Sequence, residues 1–177
     1  MDFGRVLGTI GAFLEARGFP CAVCGAFALQ AYGLARATQD LDFVVPLGAQ
    51  EELVAFMEAE GYETLYRSPG FSNHLHADEA RGRVDFVYVA GSTSLRVFED
   101  ARPGTVADGF AVRVPSPEHL VAMKVQAMKE DPGRTFKEMA DLEFLLRLPN
   151  IRMDEVRGHF ERHGLIERFH ELQRLSG

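Results

Sequence analysis

The sequence predicts an α+β fold. Segments of strand character lie before Pro115, helical patterns fill the chain after it, and Gly, Pro and Asn residues punctuate the boundaries. Residues 1–115 are expected to form a sheet-bearing domain. Residues 116–177 are expected to form a helical part packed on it as one compact unit.

The elements follow in order. Residues 1–18 form an amphipathic helix with Val6, Ile10, Phe13 and Leu14 on one face, stopped by Gly18-Phe19-Pro20. Residues 21–24 (CAVC) are a short apolar strand. Gly25 turns the chain, and residues 26–32 suit a helix that ends near Gly33. Residues 40–45 (DLDFVV) are a strand ended by Pro46, and residues 49–60 are a helix with Leu53, Phe56 and Met57 on one side. Strands are expected at residues 62–67, 72–76 and 83–89, a short helix at 94–100, and a last strand at 110–114. From Ser116 the character changes. Ser116 is a suitable N-cap, Pro117 stands at the first helical position, and Glu118 and His119 occupy the first turn. That helix should reach about residue 130, where Asp131-Pro132-Gly133 breaks it. A second runs over 135–147, Pro149-Asn150 ends it, and two shorter helices finish the chain.

Composition narrows the function classes. The chain has 177 residues, 46% hydrophobic and 25% charged, a balance suited to a packed core. No apolar run is long enough to span a bilayer. The N-terminal stretch lacks a basic start and is broken by Glu15 and Arg17, which argues against a signal peptide and predicts a cytoplasmic protein. A formal net charge of −7 disfavours extended nucleic-acid binding and favours a small phosphorylated ligand, because bound magnesium can supply local positive charge. Cys21 and Cys24 form a C-x-x-C. They lie in a short buried strand, with no second pair to complete a zinc site, and are expected to be structural.

Asp40 and Asp42 carry the chemistry. Two apart on a strand, they share a face, while Leu41, Phe43 and Val45 turn to the core. Neighbouring carboxylates repel unless a cation lies between them, and magnesium is commonly held by one or two carboxylates plus substrate phosphates. Asp85 interrupts the apolar strand VDFVYV, where it needs a partner or a metal. Gly25, between strand and helix, allows close backbone approach to a phosphate. Arg36 and Thr38 immediately precede the D-x-D. Lys124 shares a helix face with Leu120, Ala127 and Met128, so its ammonium must find an anion or reach back to water. Lys129 falls beside Gln126 and is expected to be solvated. Lys137 and Asp141 are an i,i+4 pair of small worth. His74 and His76 share a strand face, expected to be a polar face or a cleft wall because no third zinc ligand is near.

Taken in order, CGAFALQAYG (24–33), RATQDLDFVV (36–45), RVDFV (83–87), PEHLVAMKVQA (117–127) and KEMADLEFLL (137–146) resemble the nucleotidyltransferase superfamily. The similarity is to its minimal members and to AbiEii-type toxins of type IV toxin–antitoxin systems. The resemblance implies a nucleotidyltransferase fold: a mixed sheet flanked by helices, with a helical C-terminal part. It implies transfer of a nucleoside monophosphate from a nucleoside triphosphate to an acceptor hydroxyl on a tRNA, a protein or a small molecule. Mg2+ or Mn2+ would be the cofactor, and a cognate antitoxin a possible partner. Asp40, Asp42 and Asp85 would be the catalytic metal ligands, with Gly25, Ala26, Arg36, Thr38 and Lys124 contacting nucleotide. One position departs from the pattern: Ala26 stands where the family turn carries Ser or Gly, so a hydroxyl contact to phosphate is missing. That leaves open an alternative, a catalytically weak nucleotide- or protein-binding module of the same fold.

Overall fold

In the computed structural model, which describes residues 1–106 and 109–176, the chain divides into two units, Met1–Pro115 and Ser116–Gly177. The first begins with α1 (Phe3–Ala16), capped by the Asp2 carboxylate, which accepts from the Arg5 backbone N–H. It buries Val6, Leu7, Ile10 and Leu14. Phe13 instead stacks half-buried on Phe56, ring centroids 4.0 Å apart. There follow β1 (Ala22–Val23), α2 (Gly25–Ala31), β2 (Asp40–Pro46), α3 (Gln50–Ala59), β3 (Tyr62–Ser68), β4 (Phe71–His76), β5 (Arg83–Val89), α4 (Gly91–Glu99), β6 (Arg102–Thr105) and β7 (Ala111–Val114).

Five strands form one mixed sheet in the order β1-β2-β5-β4-β3. β2 and β5 are parallel, and the other neighbours are antiparallel. One face packs on α1 and α3. Leu41, Phe43 and Val45 of β2 and Val84, Phe86 and Tyr88 of β5 join Ile10, Leu14, Leu53 and Met57 in a continuous core. Each such side chain taken fully from water contributes about 1.5–3 kcal/mol before chain entropy is charged. Because strand side chains alternate, this burial fixes the register and turns Asp40, Asp42, Arg83 and Asp85 to the opposite face.

Two elements differ from the sequence expectation. β6 pairs with β7 as a separate two-stranded ribbon; its sequence, RPGT, holds the two residues least suited to strands, which an exposed ribbon tolerates. α4 begins at Gly91 rather than at residue 94, since its first turn is Gly-Ser-Thr-Ser, poor helix formers that hide the start.

The second unit is helical: α5 (Pro117–Glu130), α6 (Thr135–Leu146), α7 (Met153–Arg162) and α8 (Ile166–Ser176). The Ser116 hydroxyl accepts from His119 N–H at 3.4 Å, and Pro117 sits in the first turn, as the capping pattern requires. Leu120, Val125, Leu142, Leu145, Phe160 and Leu172 are buried in this unit. Buried Glu118 accepts from the Arg152 backbone N–H at 2.9 Å, which caps the start of α7 from a distant helix. Among the described residues no helix is long and apolar enough to cross a membrane.

Candidate active site

The parallel pairing of β2 with β5 sets Asp42 opposite Asp85 and Asp40 opposite Arg83. Three carboxylates and one guanidinium therefore share a sheet face. Arg83 grips Asp85 as a fork: Nε donates to Oδ1 at 2.9 Å and the terminal nitrogen donates to Oδ2 at 3.2 Å. This is the partner that a buried aspartate in an apolar strand demands. The guanidinium is held above its ordinary range, chiefly by the hydrogen bond to Asp85, with Asp40 and Asp42 adding to it.

Gly25 follows from Asp42. Its φ is +57°, in the left-handed region, and a Cβ there would stand 2.0 Å from Asp42 Oδ2. Only glycine lets the carboxylate lie against the turn. The Cys24 N–H donates to the Asp42 carbonyl at 2.8 Å, tying the start of α2 to the same strand. Ala26 is buried. Thr38 spends its hydroxyl on Asp40, accepting from its N–H at 3.2 Å and donating to its carbonyl at 3.1 Å. The Arg36 carbonyl accepts from Gln30 Nε2 at 2.5 Å, fastening the same segment to α2. These contacts give Thr38 and the Arg36 backbone a role in presenting the D-x-D.

Two residues of this face escaped the sequence reading. Arg83 stands two before Asp85, the same spacing that singled out Asp40 and Asp42, and that spacing could have found it. Asn73 of β4 lies opposite Asp85, and its Oδ1 is buried without a hydrogen-bond partner. Nothing in the sequence pairs Asn73 with Asp85, because the two meet only through an antiparallel register.

The histidines lie elsewhere. His74 is opposite Val84 and is fully buried on the core side, so it is not a wall of the carboxylate face. Its Nε2 meets Ser72 Oγ at 2.9 Å and its Nδ1 meets Thr64 Oγ1 at 3.1 Å; Ser72 Oγ in turn meets the Tyr88 hydroxyl at 2.7 Å. Burial lowers its pKa to about 4, so the ring is neutral and its polarity is satisfied within the core. His76 Nδ1 accepts from Asp78 N–H at 2.9 Å. Cys21 and Cys24 are not joined in a disulfide, and burial pushes the Cys21 thiol up, which opposes redox reactivity.

In the helical unit, Lys124 does find anions. Its ammonium lies 2.8 Å from Glu138 Oε2 and 2.5 Å from Asp141 Oδ2, both carboxylates being buried and the lysine largely so. Asp141 thus serves α5, across the helix pair, and Arg134 braces Glu138 from the other side at 2.7 Å.

The donor set of the carboxylate face is all oxygen, the chemistry that magnesium and manganese select. Glycine at 25 leaves the space that keeps Asp42 in place, and Arg83 shows that a cation is electrostatically welcome there. Among the described residues no three acidic, His or Cys side chains stand grouped so as to hold a metal ion. The carboxylates share a face without being gathered around one point.

A mixed sheet flanked by helices, with D-x-D on one strand and a third aspartate on its parallel neighbour, is the arrangement the sequence resemblance led one to expect of a nucleotidyltransferase fold. Solved structures agree on the fold. The antibiotic-resistance factor ANT(2″)-Ia superposes with a TM-score of 0.66 at 17% identity, covering 97% of this chain and 99% of that one. The lincosamide antibiotic adenylyltransferase LnuA, solved with lincomycin bound, gives 0.56 at 13% identity over 81% and 96%. A putative nucleotidyltransferase from Thermotoga maritima gives 0.55 at 14% identity over 79% and 93%. No curated protein sequence matches the chain. The family model described as nucleotidyl transferase AbiEii toxin, type IV TA system, matches residues 13–176, and the chain belongs to that family.

Proposed function

We propose that the chain is a metal-dependent nucleotidyltransferase that moves a nucleoside monophosphate from a nucleoside triphosphate to an acceptor hydroxyl, and that it acts in the cytoplasm as the toxin of a toxin–antitoxin pair. The observation that carries the reading is the placement of Asp42 opposite Asp85 on parallel strands, with Asp40 on the same face. The family match supports the toxin role and the antitoxin as partner.

In this reading Asp40, Asp42 and Asp85 hold magnesium or manganese, which when bound offsets phosphate charge and favours attack at the α-phosphorus. The chain's own residues do the rest. The Gly25–Ala26 turn takes phosphate through backbone N–H groups, while Arg36 and Thr38 keep the D-x-D presented. Asp85 accepts the proton of the acceptor hydroxyl. The acceptor oxygen bonds to the α-phosphorus, the bond from that phosphorus to the bridging oxygen breaks, and pyrophosphate leaves with the electron pair. The acceptor hydroxyl would belong to a tRNA, a protein or a small molecule; the lincosamide antibiotic adenylyltransferase LnuA, similar in fold, was solved with lincomycin bound.

A second reading, a nucleotide-binding module with little transfer activity, is favoured by one residue. Ala26 offers phosphate no hydroxyl. One experiment decides between them. Purified chain is incubated with each α-labelled nucleoside triphosphate, magnesium and a cell extract, beside Asp42→Asn. Label on a macromolecule or small molecule with wild type and none with Asp42→Asn is the expected result. Metal-dependent triphosphate binding with no labelled product from any triphosphate would establish the module instead.

A further inference from the structure

Arg83 is the cation that the carboxylate face already contains. It occupies both oxygens of Asp85 in a fork, and it is the register partner of Asp40. Its side chain is 39% exposed, against 12% for Asp85, so the guanidinium can leave toward solvent while the carboxylate stays. A divalent cation drawing on Asp85 meets a positive charge on the same two oxygens, and like charges on one carboxylate repel. A guanidinium driven off Asp85 needs a new anion of similar geometry. Phosphate oxygens provide one, since the planar fork matches phosphate as it matches carboxylate.

Resting on the metal-dependent reading above, we propose that Arg83 is a triphosphate-binding residue stored on Asp85, so that the site takes its metal together with the triphosphate and not ahead of it. Without nucleotide, Arg83 neutralises one carboxylate and holds the ligand set incomplete. When metal and triphosphate arrive together, Asp85 turns its oxygens to the metal and Arg83 transfers to the phosphates. No bond is made or broken in this exchange, and the total charge is conserved. The alternative role, a fixed brace that orients Asp85 for the metal, makes the opposite prediction for metal binding.

The test uses the full chain and two probes: Mn2+ alone, and Mn2+ with adenosine triphosphate. Free Mn2+ is followed by electron paramagnetic resonance and nucleotide by calorimetry. If the competent, Arg83-released site is a minor population, removing the arginine raises apparent metal affinity by the inverse of that fraction. Arg83→Met should therefore tighten Mn2+ alone by about fivefold to tenfold and weaken nucleotide binding in the presence of Mn2+ by at least about tenfold. Arg83→Lys keeps the charge without the fork. It should tighten Mn2+ by a smaller factor, and it decides the matter if the methionine variant does not fold. Unchanged or weakened Mn2+ binding in these variants overturns the proposal and leaves Arg83 a brace. Asp42→Asn separates the two levels. If it weakens Mn2+ while Arg83→Met fails to tighten it, only the role of Arg83 falls. If Asp42→Asn binds Mn2+ as wild type does, the metal reading falls and takes this proposal with it.

Discussion

Lys124→Met should destabilise the helical unit by about 3–5 kcal/mol at neutral pH, the cost of breaking a buried ion pair from one side. The magnitude comes from what the ammonium serves. It sits 2.8 Å from Glu138 and 2.5 Å from Asp141, and the three side chains are only 11%, 3% and 6% exposed. Methionine keeps the apolar stem and deletes the charge. Arg134 still braces Glu138, whereas Asp141 loses the ammonium altogether. The pH dependence carries the sharper sign. Burial alone would raise the Glu138 carboxyl, but Lys124 and then Arg134 outweigh it and hold the group below the ordinary carboxylate range. A depressed folded-state pKa gives stability that is present above the unfolded value and lost as pH falls through the folded one. The deficit of the variant should thus be largest at neutral pH and shrink as pH falls to about 3, below the unfolded carboxylate value of roughly 4.3, where protonated carboxyls need no cation. Guanidinium denaturation followed by far-ultraviolet circular dichroism at both pH values measures it. Adding Glu138→Gln and Asp141→Asn should recover most of the loss at neutral pH. A deficit below about 1 kcal/mol, the worth of an exposed pair, or one equal at both pH values, would refute the buried-triad argument. A triphosphate titration on the same variant separates a phosphate role. If Lys124 meets phosphate, affinity falls by about 1.5–3 kcal/mol; unchanged affinity confines the residue to the helical unit.

Three other outcomes are expected. Gly25→Ala should cost about 1–2 kcal/mol in backbone strain and also abolish metal-dependent triphosphate binding, because its Cβ would fall 2.0 Å from Asp42 Oδ2. Gly91→Ala is the control: a similar φ of +64° with nothing within 4 Å, so calorimetry should show nucleotide binding intact. Ala26→Ser should tighten triphosphate binding by about 0.5–1.5 kcal/mol, one ordinary hydrogen bond, and unchanged affinity would show that the turn does not touch phosphate. His74, buried neutral with a pKa of about 4, contributes stability that is complete above its unfolded value near 6.5 and lost as pH falls toward 4. His74→Gln should remove that component from a denaturation series between those pH values, and an unaltered pH profile would show that His74 does not titrate there.

What the sequence made legible was whatever repeats locally. α5 starts and stops where a Ser-Pro cap and an Asp-Pro-Gly break dictate, at Pro117–Glu130 against an expected start at Pro117 and an end at about residue 130. Asp40 and Asp42 were readable because strand alternation acts over two positions. β6 was not, since its pairing with β7, and not its own RPGT, makes it a strand. The same division runs through the site. The apolar neighbours of Lys124 declared that its charge needed an anion. They could not declare which, because Glu138 and Asp141 arrive fourteen and seventeen residues later through the packing of a second helix. His74 and Asp85 are the complementary pair of cases. Each is a polar residue within a strand of the main sheet, and alternation alone could not say which faced the core. The register decided it: Asp85 falls opposite Asp42 and His74 opposite Val84. The core side then had to satisfy both ring nitrogens with the hydroxyls of Ser72 and Thr64, and the outer side had to answer Asp85 with Arg83. A polar residue in a strand therefore points to a site only after its partners are counted. Where those partners are neutral hydroxyls, one buried and one half-buried, as for His74, the residue is structural. Where the partner is an exposed cation that can be exchanged, the residue is poised to bind.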